Sequence, residues 1–179
     1  FPNKKIKTDK VLSKFIKSDT PMWFFVGNGS DIKALNDFQK GLKITQRSNK
    51  NDQVFGALNK DFKGFTLESE SLKNISKLPP IDVLFADFDF KGNAENVLMQ
   101  QVGSVVSDKP LMTFVENSRG VKSAYFIGDG LWRWRMNEYA QNENSDGIDE
   151  LIQKTVRYIT TKKDKRQLRV NPTKEEFFG

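Results

Sequence analysis

MWFFVGNGSDIKAL, residues 22–35, decides how the rest of the chain is read. Met22–Val26 is a short unbroken apolar run behind Pro21, the pattern of a strand buried on both faces. GNGS then supplies a tight loop, and Ser30–Asp31 start a helix, with Ser30 as the expected cap. Ile32, Leu35, Phe38 and Leu42 mark its buried face, and Gly41 suits a left-handed C-terminal cap. Strand, tight loop and helix in succession form the building block of an α/β fold.

Working outward, Thr8 is placed to cap a helix running to about residue 18, with Val11, Leu12, Phe15 and Ile16 as its apolar stripe. Downstream, 43–47, 53–59 and 62–67 read as short strands, and Leu72, Ile75 and Leu78 as a short helix stopped by Pro79–Pro80. In VLFADFDF, residues 83–90, Leu84, Ala86, Phe88 and Phe90 share one face, and Phe85, Asp87 and Asp89 the other. Strands are expected at 97–106, 110–116 and 121–127, the last two joined by a hairpin turn at Asn117–Gly120. GDG leads into a helix carrying LWRWR. Asp146 is expected to cap a final long helix with Ile148, Leu151, Ile152, Thr155, Val156 and Ile159 inward and Lys162–Lys163 at its end.

The fold class expected is α/β: three layers, a mixed sheet flanked by helices with an antiparallel hairpin in it. Residues 1–163 form the domain, and 164–179 a polar tail or linker. The chain begins at Phe1 rather than Met, which points to a processed chain or an excised piece.

Composition removes several chemistries. There are no cysteines and no histidines in 179 residues. Cys–His and Ser–His–Asp catalysis and the usual zinc sites are therefore excluded. No run approaches the ~20 apolar residues of a spanning helix. The net charge is +6 and uneven, with lysines crowding the first 17 residues and Lys162–Arg169. Such ends permit contact with nucleic acid or an anionic surface, although solvated helix faces and a linker are the favoured account of them.

Three stretches remain as candidate sites. VGNGSDIKAL places backbone N–H groups where a helix start can face an anion, but lacks the full Walker or GxGxxG pattern. FADFDFKGNAEN offers Asp87, Asp89, Asn93 and Glu95 as oxygen ligands, yet Lys91 and Leu98 break the EF-hand spacing, and no metal is expected. No spacing joins Asp87, Asp89 and Glu116 for paired-carboxylate work. In GDGLWRWRMNEYA, residues 128–140, helical geometry turns Trp132 and Trp134 to different sides. Trp132, Arg135, Met136 and Tyr139 form one stripe, and Leu131, Trp134 and Glu138 another. That favours packing over a stacking platform, with Arg133 placed to stack on a ring or clamp a carboxylate.

MWFFVGNGSDIKALNDFQKGLKI, LPP at 78–80, DKPLMTF at 108–114 and FIGDGLWRWRMNEY at 126–139 together resemble a family. It is a glutamine-amidotransferase-like (trehalose-utilisation-like) α/β domain of large bacterial envelope proteins that also carry a von Willebrand factor A-like region and membrane spans. The resemblance covers nearly the whole chain, and its most specific part is the GDGLWRWR block.

This resemblance implies a flavodoxin-like, doubly wound sheet. It implies that a nucleophilic Cys would sit at the turn matching Gly27–Ser30, and a catalytic His at the place matching Gly128–Gly130; this chain has neither. It also implies a strand and helix before the point matching Phe1, so the chain is expected to lack the first β-α unit and to leave a sheet edge uncovered. The expected function is therefore interaction or ligand binding without catalysis or cofactor, on the periplasmic or envelope side of a bacterial membrane protein. Its partner would be a protein or other domains of the parent chain rather than nucleic acid, with the membrane reached only through that parent. Both loops would open at the carboxyl ends of strands, with Asn28, Ser30, Asp129, Arg133 and Arg135 lining the cleft. The alternatives are a carboxylate- or metal-dependent hydrolase or transferase, and nucleic-acid or anionic-surface binding through the basic ends.

Overall fold

A computed structural model describes residues 14–15 and 18–161. The helix expected over 8–18 lies almost wholly outside the described residues. So do Lys162–Lys163, the 164–179 tail and most of the basic ends.

The strands are β1 (Met22–Val26), β2 (Leu42–Leu58), β3 (Ile81–Phe90), β4 (Asn93–Val102), β5 (Val105–Glu116) and β6 (Lys122–Ile127). The helices are α1 (Ile32–Phe38), α2 (Glu70–Lys73), α3 (Leu131–Asn142) and α4 (Asp146–Thr160), with a 3₁₀ turn at Ile75–Lys77. The architecture is layered, mixed α/β. Its strands run in the order β1-β6-β5-β4-β2-β3. β1 pairs with β6 in parallel, and the other pairings are antiparallel.

Alternation along the strands sorts the core into two halves, because successive side chains point to opposite faces. On one face Phe114, Ala124 and Phe126 meet Trp134 of α3 and Ile148, Leu151 and Ile159 of α4. On the other, Phe24, Val26, Tyr125 and Ile127 meet Leu35 of α1. Leu42, Ile44, Leu84 and Ala86 join that second half, so the β2–β3 ribbon curls back over the sheet. This face is covered mainly by the ribbon and one short helix, where flanking helices were expected. A register shift between Gln46 and Asn51 marks where β2 bends from one role to the other.

That bend explains the first correction. The expected strands 43–47 and 53–59 are one continuous β2. Residues 62–67 are not a strand: Phe62 and Phe65 instead pack edge-on against each other and against Tyr158. The expected strand 97–106 is broken by a turn, since Gly103 takes φ 58 and Val102 pairs with Val105. The Asn117–Gly120 turn forms as expected, with Gly120 N donating to Asn117 O.

The caps differ from expectation in an instructive way. Asp31, not Ser30, caps α1, accepting from Ala34 N at 3.0 Å. Gly41 is not a left-handed cap, because the helix already ends at Phe38. The Gln39 side chain takes over there, accepting from Gly41 N, Leu42 N and the Tyr125 hydroxyl. Asp146 does not cap α4, and Ser145 makes no cap bond either. The buried carboxylate of Glu138, on α3, accepts from Gly147 N at 3.0 Å and Ile148 N at 2.9 Å. A cap supplied from a neighbouring helix leaves no mark in local sequence.

Candidate functional site

Because β1 and β6 are parallel, the loops that follow them emerge at the same end of the sheet. The first loop closes on itself: Ser30 N donates to Gly27 O, and Gly27 N donates to the Ser30 Oγ. The second is tied to β1 by Gly128 N, which donates to Val26 O at 2.7 Å. Gly128 and Gly130 take φ values of 149 and 125, a region that L side chains rarely adopt. The two glycines therefore swing Asp129 out of line with β6 and toward the first loop.

Asp129 is the joint between the loops. Its Oδ2 accepts from Asn28 N at 2.7 Å. A side chain at Gly27 would overlap the Asp129 carboxylate, so only glycine leaves room for it. The Asp129 backbone exchanges both hydrogen bonds with Asp82 of β3, at 3.0 and 2.8 Å. Asp82 in turn accepts from Gln53 Nε2 and pairs with Arg133 at 2.8 Å. The Gln53 hydrogen bond, with the Arg133 guanidinium, holds the Asp82 carboxyl below the ordinary carboxylate range.

Arg135 points elsewhere. It grips Asp149 of α4 with two donors, at 3.0 and 3.3 Å. Those hydrogen bonds, joined by one from Ser145, keep Asp149 below its ordinary range. A cavity of about 370 Å³ lies between, lined by Phe25, Asp129, Leu131, Trp132, Arg135, Ile148 and Ile152.

The expected site residues thus divide. Asp129 and Arg135 line that cavity. Asn28 touches Asp129 through its backbone, Ser30 is buried in its own turn, and Arg133 braces Asp82. Sequence reading missed Asp82 and Gln53, since nothing local ties a strand start to a turn some 47 residues later. The FADFDFKGNAEN oxygens do not converge: Asp87 pairs with Arg47, and Glu95 accepts from the Tyr158 hydroxyl at 2.7 Å. Among the described residues no three acidic side chains gather as metal ligands. None of the described helices is long and apolar enough to cross a membrane.

A second cavity, of about 650 Å³, is lined by Asn59, Asp61, Phe62, Glu95, Asn96 and Tyr158. Burial, together with the hydrogen bond to Glu95 and its charge, raises the Tyr158 phenol above its ordinary range. Burial does the same for Tyr125. Both phenols are thus held neutral in the fold, while the unfolded chain ionises them near pH 10. Stability is therefore expected to be intact below about pH 10 and to fall as pH rises beyond it. In a Tyr139→Phe background only these two tyrosines remain. Phenolate absorbance should then lag well behind that of the urea-unfolded chain; coincident titrations would refute the burial argument.

No protein-family model, no curated protein and no solved structure matches this chain.

Proposed function

We propose that this chain is a non-catalytic, glutamine-amidotransferase-like α/β domain serving interaction or ligand binding within a membrane-anchored protein of the bacterial envelope, on its periplasmic side. The observation that carries the reading is the Asn28 N–H to Asp129 carboxylate hydrogen bond. A turn able to present its amide to an anion already holds one, supplied by the chain itself. The quoted blocks around Gly27–Ser30 and Gly128–Gly130 supply the family likeness. In this reading the parallel β1–β6 pair is the part of the sheet that corresponds to a flavodoxin-like, doubly wound arrangement.

The absence of Cys and His leaves no nucleophile–base pair of the amidotransferase type. What the junction retains is a shaped cavity with apolar walls and few polar groups, the usual make-up of a binding cleft. Incubation of the purified chain with L-glutamine is expected to release no ammonia above the buffer blank. Turnover that survives repurification and disappears in the Asp129→Ala variant would overturn the non-catalytic reading.

A further inference from the structure

The cavity between the 128–130 turn and α4 holds about 370 Å³, the size of a small-molecule pocket. Its walls are apolar: Phe25 from β1, Leu131 from α3, and Ile148 and Ile152 from α4. Among the described residues two charged side chains line it, Asp129 and Arg135. They differ in what they already hold. Arg135 grips Asp149 through two donors. Asp129 has no cationic partner among the described residues; its Oδ2 accepts from a neutral amide, Asn28 N, and no described donor bonds its Oδ1.

We infer that this cavity binds a small organic ammonium, a primary amine carried on an apolar body. The inference rests on the ligand-binding reading above and names the class of ligand. Charge complementarity carries it. Three carboxylates and two guanidiniums surround the turn: Asp82, Asp129 and Asp149 against Arg133 and Arg135. Arg133 pairs with Asp82 and Arg135 with Asp149, which leaves one negative charge, on Asp129.

That charge sorts the candidate ligands. A neutral apolar molecule seated in the cavity would strip water from the carboxylate and return nothing to it, which is costly for a charge. An anion would meet like-charge repulsion from Asp129. It would also find the Asn28 amide taken and Arg135 engaged with Asp149. An ammonium group brings the opposite charge and three donors to Asp129, while its apolar body displaces water from the walls.

Three probes of similar shape and different charge separate these cases: benzylammonium, benzyl alcohol and benzoate. Each is titrated into the isotope-labelled chain at low salt, with the Gly128, Leu131 and Trp132 amides and the Trp132 indole N–H reporting entry. Benzylammonium should bind about tenfold more tightly than benzyl alcohol, the effect of one charge-assisted hydrogen bond. Benzoate should bind more weakly than the alcohol. Raising sodium chloride to about 0.5 M should narrow the gap between ammonium and alcohol, because salt screens an accessible pair. Asp129→Asn keeps an acceptor for Asn28 N and removes the charge, so it should erase that gap. Arg135→Gln frees the Asp149 carboxylate and should strengthen benzylammonium binding by up to about fivefold, the range of an exposed ion pair. If Asp129→Asn disturbs the turn, Arg135→Gln tests the same charge from the other side. Equal affinity for ammonium and alcohol, a preference for benzoate, an ammonium preference that survives Asp129→Asn, or a weaker hold in Arg135→Gln would overturn the inference and leave ligand binding standing. No shift with any of the three probes would remove the ligand-binding reading as well.

Discussion

Replacing Trp134 with alanine is expected to remove about 3–5 kcal/mol of folding stability, the range for deleting a large aromatic from a core. The ring is fully buried between the sheet and the 3₁₀ turn. It meets Phe126 edge-on at 6.1 Å. Its Nε1 donates to Pro79 O at 2.6 Å, so the indole also fixes where the chain enters β3. The space for it exists because position 56 is glycine: a Cβ there would lie 2.9 Å from the ring. Trp132→Ala, two residues away on the exposed side, is expected to shift monomer stability by no more than about 0.5 kcal/mol. Urea unfolding of the two variants side by side checks the pair. Equal losses would mean that α3 is rotated from the orientation described here.

Glu138→Ala is expected to cost about 3 kcal/mol, because a buried carboxylate bonded to backbone amides is worth roughly 1.5–3 kcal/mol per bond and its loss strands both donors. Glu138 is 2% exposed and holds the first amides of α4, Gly147 N and Ile148 N. It also faces the positive end of that helix dipole. Position 147 tolerates little else, since a Cβ would sit 2.5 Å from Glu138 Oε1. Hydrogen exchange at the Gly147 and Ile148 amides should accelerate in the variant along with the fall in urea midpoint. Unchanged exchange at both amides would show that the cap is not made.

Glu138 also shows where sequence reading stops. Periodicity placed α3 and α4, put Trp134 and Glu138 on one stripe, and separated Trp132 from Trp134, although Val156, expected inward on α4, is exposed. Apolar runs found β1, β6 and β5 from residue 110 on, and alternation found β3, because burial leaves a pattern visible in one dimension. The cap of α4, the Gln39 clasp beyond α1 and the curl of the β2–β3 ribbon all depend on partners distant in the chain. Local rules offered Asp146, Gly41 and separate strands instead, each a sound choice overridden by tertiary contacts.

The candidate site divides in the same way. Glycines at 27, 128 and 130 flagged both loops, and β1 and β6 bring those loops together. That Asp129, while lining the cavity, would also accept from Asn28 N follows from Asp82 holding its backbone. The strand that supplies Asp82 comes from the far end of the sheet order. Arg133 and Arg135 looked alike in WRWR, yet one braces β3 and the other α4.

The account turns on Asp129 acting as the loop's own anion. Amide NMR of the chain and its Asp129→Ala variant, each titrated with acetate and with inorganic phosphate, tests this directly. The predicted result is an Asn28 amide that ignores both anions in the unaltered chain and shifts saturably with one of them once the carboxylate is gone. An Asn28 amide that responds to anions while Asp129 is present, or in neither protein, would contradict it.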